Sequence, residues 1–176
     1  MDYEKQRTSS MKEVTFNEKV YQIPESWSEV SLGMVIKTSE YDELIEDAPI
    51  VSIICGYCGI QSSELKASRM AEVRPILDVL DFIYTQYVAI PSNSFEFKGY
   101  KYSTKDSLEE TEFQEWVSTQ TLLYQYKNNP VAALPKLIAI TCKRPGETLD
   151  EINIEERSKE FYDLPFTIAK DVEGFF

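Results

Sequence analysis

The 176-residue chain contains no histidine. Imidazole is the commonest general base, the usual partner of serine and cysteine nucleophiles, and the commonest metal ligand. Its absence removes the Ser-His and Cys-His nucleophile pairs and imidazole ligation, and no cofactor is expected. Glycine is scarce: six scattered residues leave no Gly-rich loop to cradle a phosphate. Three cysteines are an odd number, which argues against a disulfide framework and points to a reducing cytoplasm. No apolar run approaches the roughly 18 residues of a membrane span. The opening MDYEKQRTSSMKE has no apolar core of the kind a secretory signal carries, so no membrane contact is expected. Positive charge is the minority sign, with 18 bases against 30 acids and a net charge of −12. Phosphate backbones are bound by neutralising them with Lys and Arg, so nucleic acid is not an expected partner.

What is present is enough for a stable globule. A chain of this length buries about 70% of its unfolded surface without help from metals or disulfides. Two Trp, eleven Tyr and nine Phe supply aromatic area for a core or for partner contacts. The acids lie in blocks along the body. Glu40, Asp42, Glu43, Glu46 and Asp47 form one, and Glu109, Glu110, Glu112 and Glu115 another. Such blocks read as solvated helix faces, or as a surface that meets a basic partner.

Local signals give a mainly α chain with two small β-hairpins, an α+β class. Val14, Phe16, Val20 and Tyr21 around Asn17-Glu18 predict one hairpin, ended by Pro24. Phe95, Phe97, Tyr100 and Tyr102 around Lys98-Gly99 predict the other, with Gly99 supplying a positive φ. Ser31 is a candidate helix cap, with a second start at Ser39. Pro49 opens an apolar segment as a first-turn proline. Ser62 is expected to cap a helix through SELKASRMAEVR that Pro75 ends or kinks. Ile76, Leu77, Leu80, Ile83, Tyr84 and Tyr87 then carry helical spacing. Thr111 is a candidate cap for a helix with the stripe Phe113, Trp116, Val117, Leu123 and Tyr124. Asn129-Pro130 opens a helix with Pro135 inside it, and Lys143-Arg144 is placed to complement its negative end. Pro145-Gly146 is a turn, Asn153 with Glu156 resembles a capping box, and Pro165 starts a last short helix that Gly174 can stop.

The order hairpin, polar link, capped helix occurs twice. Phe16 to Tyr21 and Phe97 to Tyr102 lie 81 residues apart, and Trp27 then falls opposite Leu108 and Leu32 opposite Phe113. This divides the chain into a flexible tail over 1–12, a first hairpin-plus-helices half over 13–90 and a second over 91–176, packed as one unit.

The one motif with redox or zinc potential is CGYC at 55–58. A working dithiol needs a lowered thiol pKa, from a helix N-terminus, partial exposure or nearby positive charge. Here Ile53, Ile54, Tyr57 and Ile60 flank the pair, and no Lys or Arg occurs from 38 to 65. As a zinc site it lacks a second pair, since Cys142 is the only other thiol. Small buried side chains are the expected reading of Cys55 and Cys58, and a thiol oxidoreductase is the competing class. Ser63-x-x-Lys66 matches part of a penicillin-binding signature, but the accompanying Ser-Asp-Asn and Lys-Thr-Gly elements are missing. No carboxylate pair is singled out for glycosidase chemistry. No catalytic or metal-ligating residue is assigned. The candidate partner-contact residues are Trp27, Trp116 and the Phe175-Phe176 terminus, because large apolar groups at chain ends suit docking into a neighbour.

The strings VTFNEKVYQIPESWSEVSL, FEFKGYKY, NNPVAALPKLIAI and EERSKEFYDLPFTIAKDVEGFF resemble small virion or assembly proteins of tailed bacteriophages, nearest to the crAss-like group. The resemblance covers most of residues 13–176 and brings no catalytic residues. It implies a non-enzymatic virion protein made in the host cytoplasm. Its partners would be portal, tail or capsid proteins and copies of itself. Cargo carried in the capsid or tail is the first role, and a neck or tail component or an assembly chaperone the second.

Overall fold

The computed structural model describes residues 11–44, 48–105 and 107–173. The chain is mainly helical, with two separate two-stranded antiparallel sheets. β1 (Lys12–Phe16) pairs with β2 (Lys19–Ile23), and β3 (Ser94–Phe97) pairs with β4 (Tyr100–Ser103). The tail expected over 1–12 thus yields Lys12 to β1, and residues 1–10 lie outside the described residues. Both hairpins turn on two residues of positive φ. These are Asn17 (47°) and Glu18 (64°) in the first, and Lys98 (48°) and Gly99 (79°) in the second. Turns of this kind match the right-handed twist of the flanking strands in a two-residue loop. The alternation then puts Val14 and Phe16 into one core and Tyr102 into another.

α1 (Leu32–Leu44) is capped by Ser31, whose hydroxyl accepts from the Met34 N–H at 3.3 Å. It does not restart at Ser39. The Thr38 and Ser39 hydroxyls turn inward and donate to the Met34 and Ile36 carbonyls. α2 (Pro49–Cys58) starts on its proline and stops at Gly59.

The helix expected from Ser62 is split. α3 (Ser62–Ala67) ends where Ser68 is extended, and α4 (Met70–Val79) restarts with the Glu72 carboxylate accepting from the Arg69 N–H at 2.7 Å. Pro75 lies inside α4 and does not end it. The helical spacing of 76–87 is realised only to Val79, after which Leu80–Tyr84 tightens into a 3-10 turn. Tertiary contacts then hold the chain off helical geometry. The Trp27 indole donates to the Thr85 carbonyl, and Asp171 accepts from the Tyr87 hydroxyl and the Ile90 N–H.

In the second part, α5 (Phe113–Gln125) is followed by α6 (Pro130–Thr141), capped by Asn129 and continuous through Pro135. Thr111 does not cap α5; Glu112 holds that position without a side-chain bond, and Thr111 donates to the Ser107 carbonyl. Lys143 and Arg144 do not serve the end of α6. Lys143 forms an isolated bridge with Ser103 and reaches Glu115, while the Arg144 guanidinium stacks 3.6 Å over the Tyr100 ring. α7 (Ile154–Glu160) is capped by Asn153, a 3-10 turn covers Phe161–Asp163, and α8 (Phe166–Glu173) closes the described chain.

The order of elements recurs at one spacing. Lys19 and Tyr100, Trp27 and Leu108, Leu32 and Phe113, Pro49 and Pro130, Leu80 and Phe161 each begin corresponding elements 81 residues apart. Two apolar clusters follow this order. One holds Phe16, Ile23, Val30, Ile54, Ile60, Ile76 and Leu80. The other holds Tyr102, Leu137, Ile138, Phe161, Leu164 and Val172, together with Leu32 and Ile36 from α1. Phe166 packs against both.

Candidate functional site

The CGYC segment occupies the last turns of α2, and both thiols are buried. A helix C-terminal turn offers carbonyls rather than N–H groups, so it withholds the positive end that stabilises a thiolate. Burial, with the neighbouring Cys55, pushes the Cys58 thiol up to about 12. Burial pushes Cys142 up to about 12 as well. Among the described residues there is no disulfide, and no group of three or more Cys, Asp or Glu is placed to hold a metal. The glycine of the motif has a packing role. A Cβ on Gly56 would lie 2.1 Å from the Thr38 hydroxyl and 2.8 Å from the Thr38 Cα, so α1 and α2 touch backbone to backbone there. Ser52, one turn earlier, is fully buried, and its hydroxyl has no hydrogen-bond partner.

The most unusual surface lies on α5. Its inward side is Glu115, Thr119 and Leu122, and its predicted apolar stripe points outward. Phe113 is 76% exposed, Trp116 and Val117 40% each, and Tyr124 74%. The Phe113 and Trp116 rings stack with centroids 5.8 Å apart, and the Lys127 ammonium sits 5.3 Å from the Tyr124 ring centre. Sequence spacing identified the stripe but assigned it no direction. The deciding residue is Glu115, which belongs to an acidic block read as solvated. Instead it is buried, bonded to the Lys143 ammonium at 2.6 Å with Lys105 at 3.8 Å. No sequence signal links Glu115 to Lys143, 28 positions away. That ion pair pins the polar side of α5 inward and leaves the aromatic side in water.

An open groove of about 530 Å³ runs beside the same helix, between Val117 and Leu122 on one side and Ile140 and Ile154 on the other. The Lys136–Glu155 ion pair at 2.7 Å stands on its rim. A second exposed apolar group, Tyr84, Val88 and Ile90, lies on the segment after α4.

Two of the four predicted contact residues fall within the described residues, on different elements. Trp116 is on the α5 face. Trp27 is half-buried inside the chain, edge-on to Phe82 at 5.2 Å and beside Phe166 at 5.9 Å. Phe175 and Phe176 lie outside the described residues. Among the described residues no helix is long and apolar enough to cross a membrane. Compared with protein-family models, curated proteins and solved structures, the chain matches none of them.

Proposed function

We propose that this protein works by binding other proteins, in the setting its sequence resemblance implies: a tailed-phage particle or its assembly line. Cargo carried in the capsid or tail is the leading role, with a neck or tail component or an assembly chaperone second. The observation that carries the reading is the outward α5 face, where two aromatic rings and a valine stand in water on a regular helix. Aromatic anchors of this kind dominate the energetics of protein interfaces. The buried, strongly raised thiols support binding over thiol chemistry, because the thiolate is the reactive form. The acidic surface fits a role in orientation and solubility.

The test is incorporation. Phe113→Ser with Trp116→Ser removes the anchors without touching a buried residue. In gradient-purified particles from a host supplying only the variant, quantitative mass spectrometry should find the protein depleted at least tenfold relative to wild type. Unchanged incorporation sinks the reading. Catalytic turnover that vanishes with Cys55→Ser would replace it with a thiol enzyme.

A further inference from the structure

The 81-residue recurrence pairs each surface of one part with a surface of the other, and one such pair is already docked inside the chain. The first turns of α1 insert Leu32 and Ile36 into the second apolar cluster. They meet the Phe161–Asp163 turn and the start of α8. The Leu32 N–H donates to the Leu164 carbonyl at 2.8 Å, and the Phe166 N–H donates to the Val30 carbonyl at 2.7 Å. Ser31 bridges Pro165, and Gly33 lies against Tyr162.

Moved along by the same spacing, both sides of this contact recur with large apolar side chains left exposed. Leu32 and Ile36, which are buried, correspond to Phe113 and Val117, which are exposed; half-buried Val35 corresponds to Trp116. The receiving segment that begins at Phe161 corresponds to the one that begins at Leu80. That counterpart carries Tyr84, Val88 and Ile90, each more than seven-tenths exposed. The chain therefore presents an uncovered copy of the inserting face and, on a segment whose backbone Trp27 and Asp171 already anchor, three uncovered apolar side chains at the place of the receiving one.

We propose that these two surfaces bind each other between molecules: the α5 face of one copy docks on the Leu80–Ile90 segment of the next, repeating the contact that α1 makes with the Phe161–Asp163 turn and α8 inside the chain. The occupant of the α5 face is a second copy of this protein, in a head-to-tail arrangement. Each bound copy leaves one surface of each kind open, so association continues until the rotation closes a ring or, if it does not close, extends as a filament. This rests on the protein-binding reading above and names the partner at that face. The net charge of −12 opposes it, so association strengthens as salt screens the repulsion.

Mixing separates a head-to-tail contact from a symmetric one. One variant carries Phe113→Ser and Trp116→Ser; the other carries Tyr84→Ser and Val88→Ser. Val88→Ser with Ile90→Ser is a second receiving-side pair. All sites are at least 40% exposed, and far-UV circular dichroism confirms that each variant is folded. In sedimentation velocity, wild type should associate beyond a dimer as concentration rises, and more so between roughly 0.05 and 0.5 M salt. Each variant alone should stay monomeric, its association weakened by at least about thirtyfold. Mixed in equal amounts, the two variants should form a 1:1 pair and nothing larger, because only one intact pair of surfaces remains. Two results overturn the proposal: a receiving-side variant that still self-associates like wild type, or wild type that stays monomeric up to about 1 mM at high salt. If wild type is monomeric while Phe113→Ser with Trp116→Ser still depletes the protein from particles, the binding reading survives with another partner. If the mixing pattern holds while incorporation is unchanged, self-association stands and the particle setting falls.

Discussion

The helix pair α1–α2 and the helix pair α5–α6 begin 81 residues apart and are built differently. In the first, Gly56 on α2 lets the backbone of α2 reach Thr38 on α1. At the corresponding positions the second pair has Leu137 and Thr119, so a leucine stands where the glycine allowed contact. The first pair is thus closed by close backbone approach, and its α1 is covered again by the second apolar cluster. In the second pair, α5 is fixed by the buried Glu115–Lys143 ion pair, and its aromatic side is left uncovered. One arrangement of elements accepts either a small residue or a charge pair as its fastening, and the choice decides which helix face is left for partners.

Glu115→Ala is the most severe way to break this contrast. It strands the Lys143 ammonium, whose side chain is only 11% exposed. Removing one member of a buried pair costs roughly 3–5 kcal/mol, so urea denaturation should show that loss. Near-complete retention of stability would mean the pair is not what fixes α5. Gly56→Ala tests the other fastening. The added Cβ collides with the Thr38 backbone, and overpacking of this kind costs about 2–3 kcal/mol. The corresponding change in the second pair, Leu137→Ala, should also destabilise, but by opening a cavity, whereas shortening residue 38 should leave most of the Gly56→Ala cost in place because the Thr38 N and Cα remain in the way.

A smaller effect separates the charge pairs by pH. Hydrogen bonds from Arg157, at 2.6 and 2.8 Å, hold the Glu147 carboxyl below its ordinary value of 4.5. A carboxyl lowered in the folded state stabilises above its unfolded pKa and loses that stabilisation as pH falls through the folded one. Glu147→Gln should therefore cost about 1 kcal/mol at neutral pH. The gap to wild type should close below pH 4.5, as followed by chemical denaturation across an acid series. A gap independent of pH would reassign the role to packing. The smallest change is Ser52→Ala. It removes a buried hydroxyl without a partner and should leave stability unchanged or raise it by up to about 1 kcal/mol. A clear loss would point to a bond the hydroxyl makes in solution.

Both hairpins were legible because turn chemistry is local: Asn17-Glu18 and Lys98-Gly99 each sit between alternating apolar residues. The mainly helical class, the proline-led starts at Pro49 and Pro130 and the Asn153 cap were legible for the same reason. Some failures were local, as where Ser39 and Thr111 donate back to carbonyls three and four residues earlier instead of starting a helix, but others depended on distant residues. The helix expected through Tyr87 stops because Trp27 and Asp171 hold the chain beyond it. Lys143 and Arg144 look like helix-end cations, and it is Glu115 and Tyr100 that take them away. At the candidate site, the spacing of Phe113, Trp116 and Val117 marked a helix face. Its direction depended on Lys143, which belongs to a different element.

The sharing of α1 between the two apolar clusters has a thermodynamic consequence. Residues 91–176 expressed alone would have a hole where Leu32 and Ile36 sit, and residues 13–90 would lack the Phe166 ring that leans on them. Neither fragment should therefore fold well alone, and unfolding is expected as a single cooperative event despite the doubled arrangement. Two such fragments produced separately should find each other and rebuild the native molecule, each completing the other's interior.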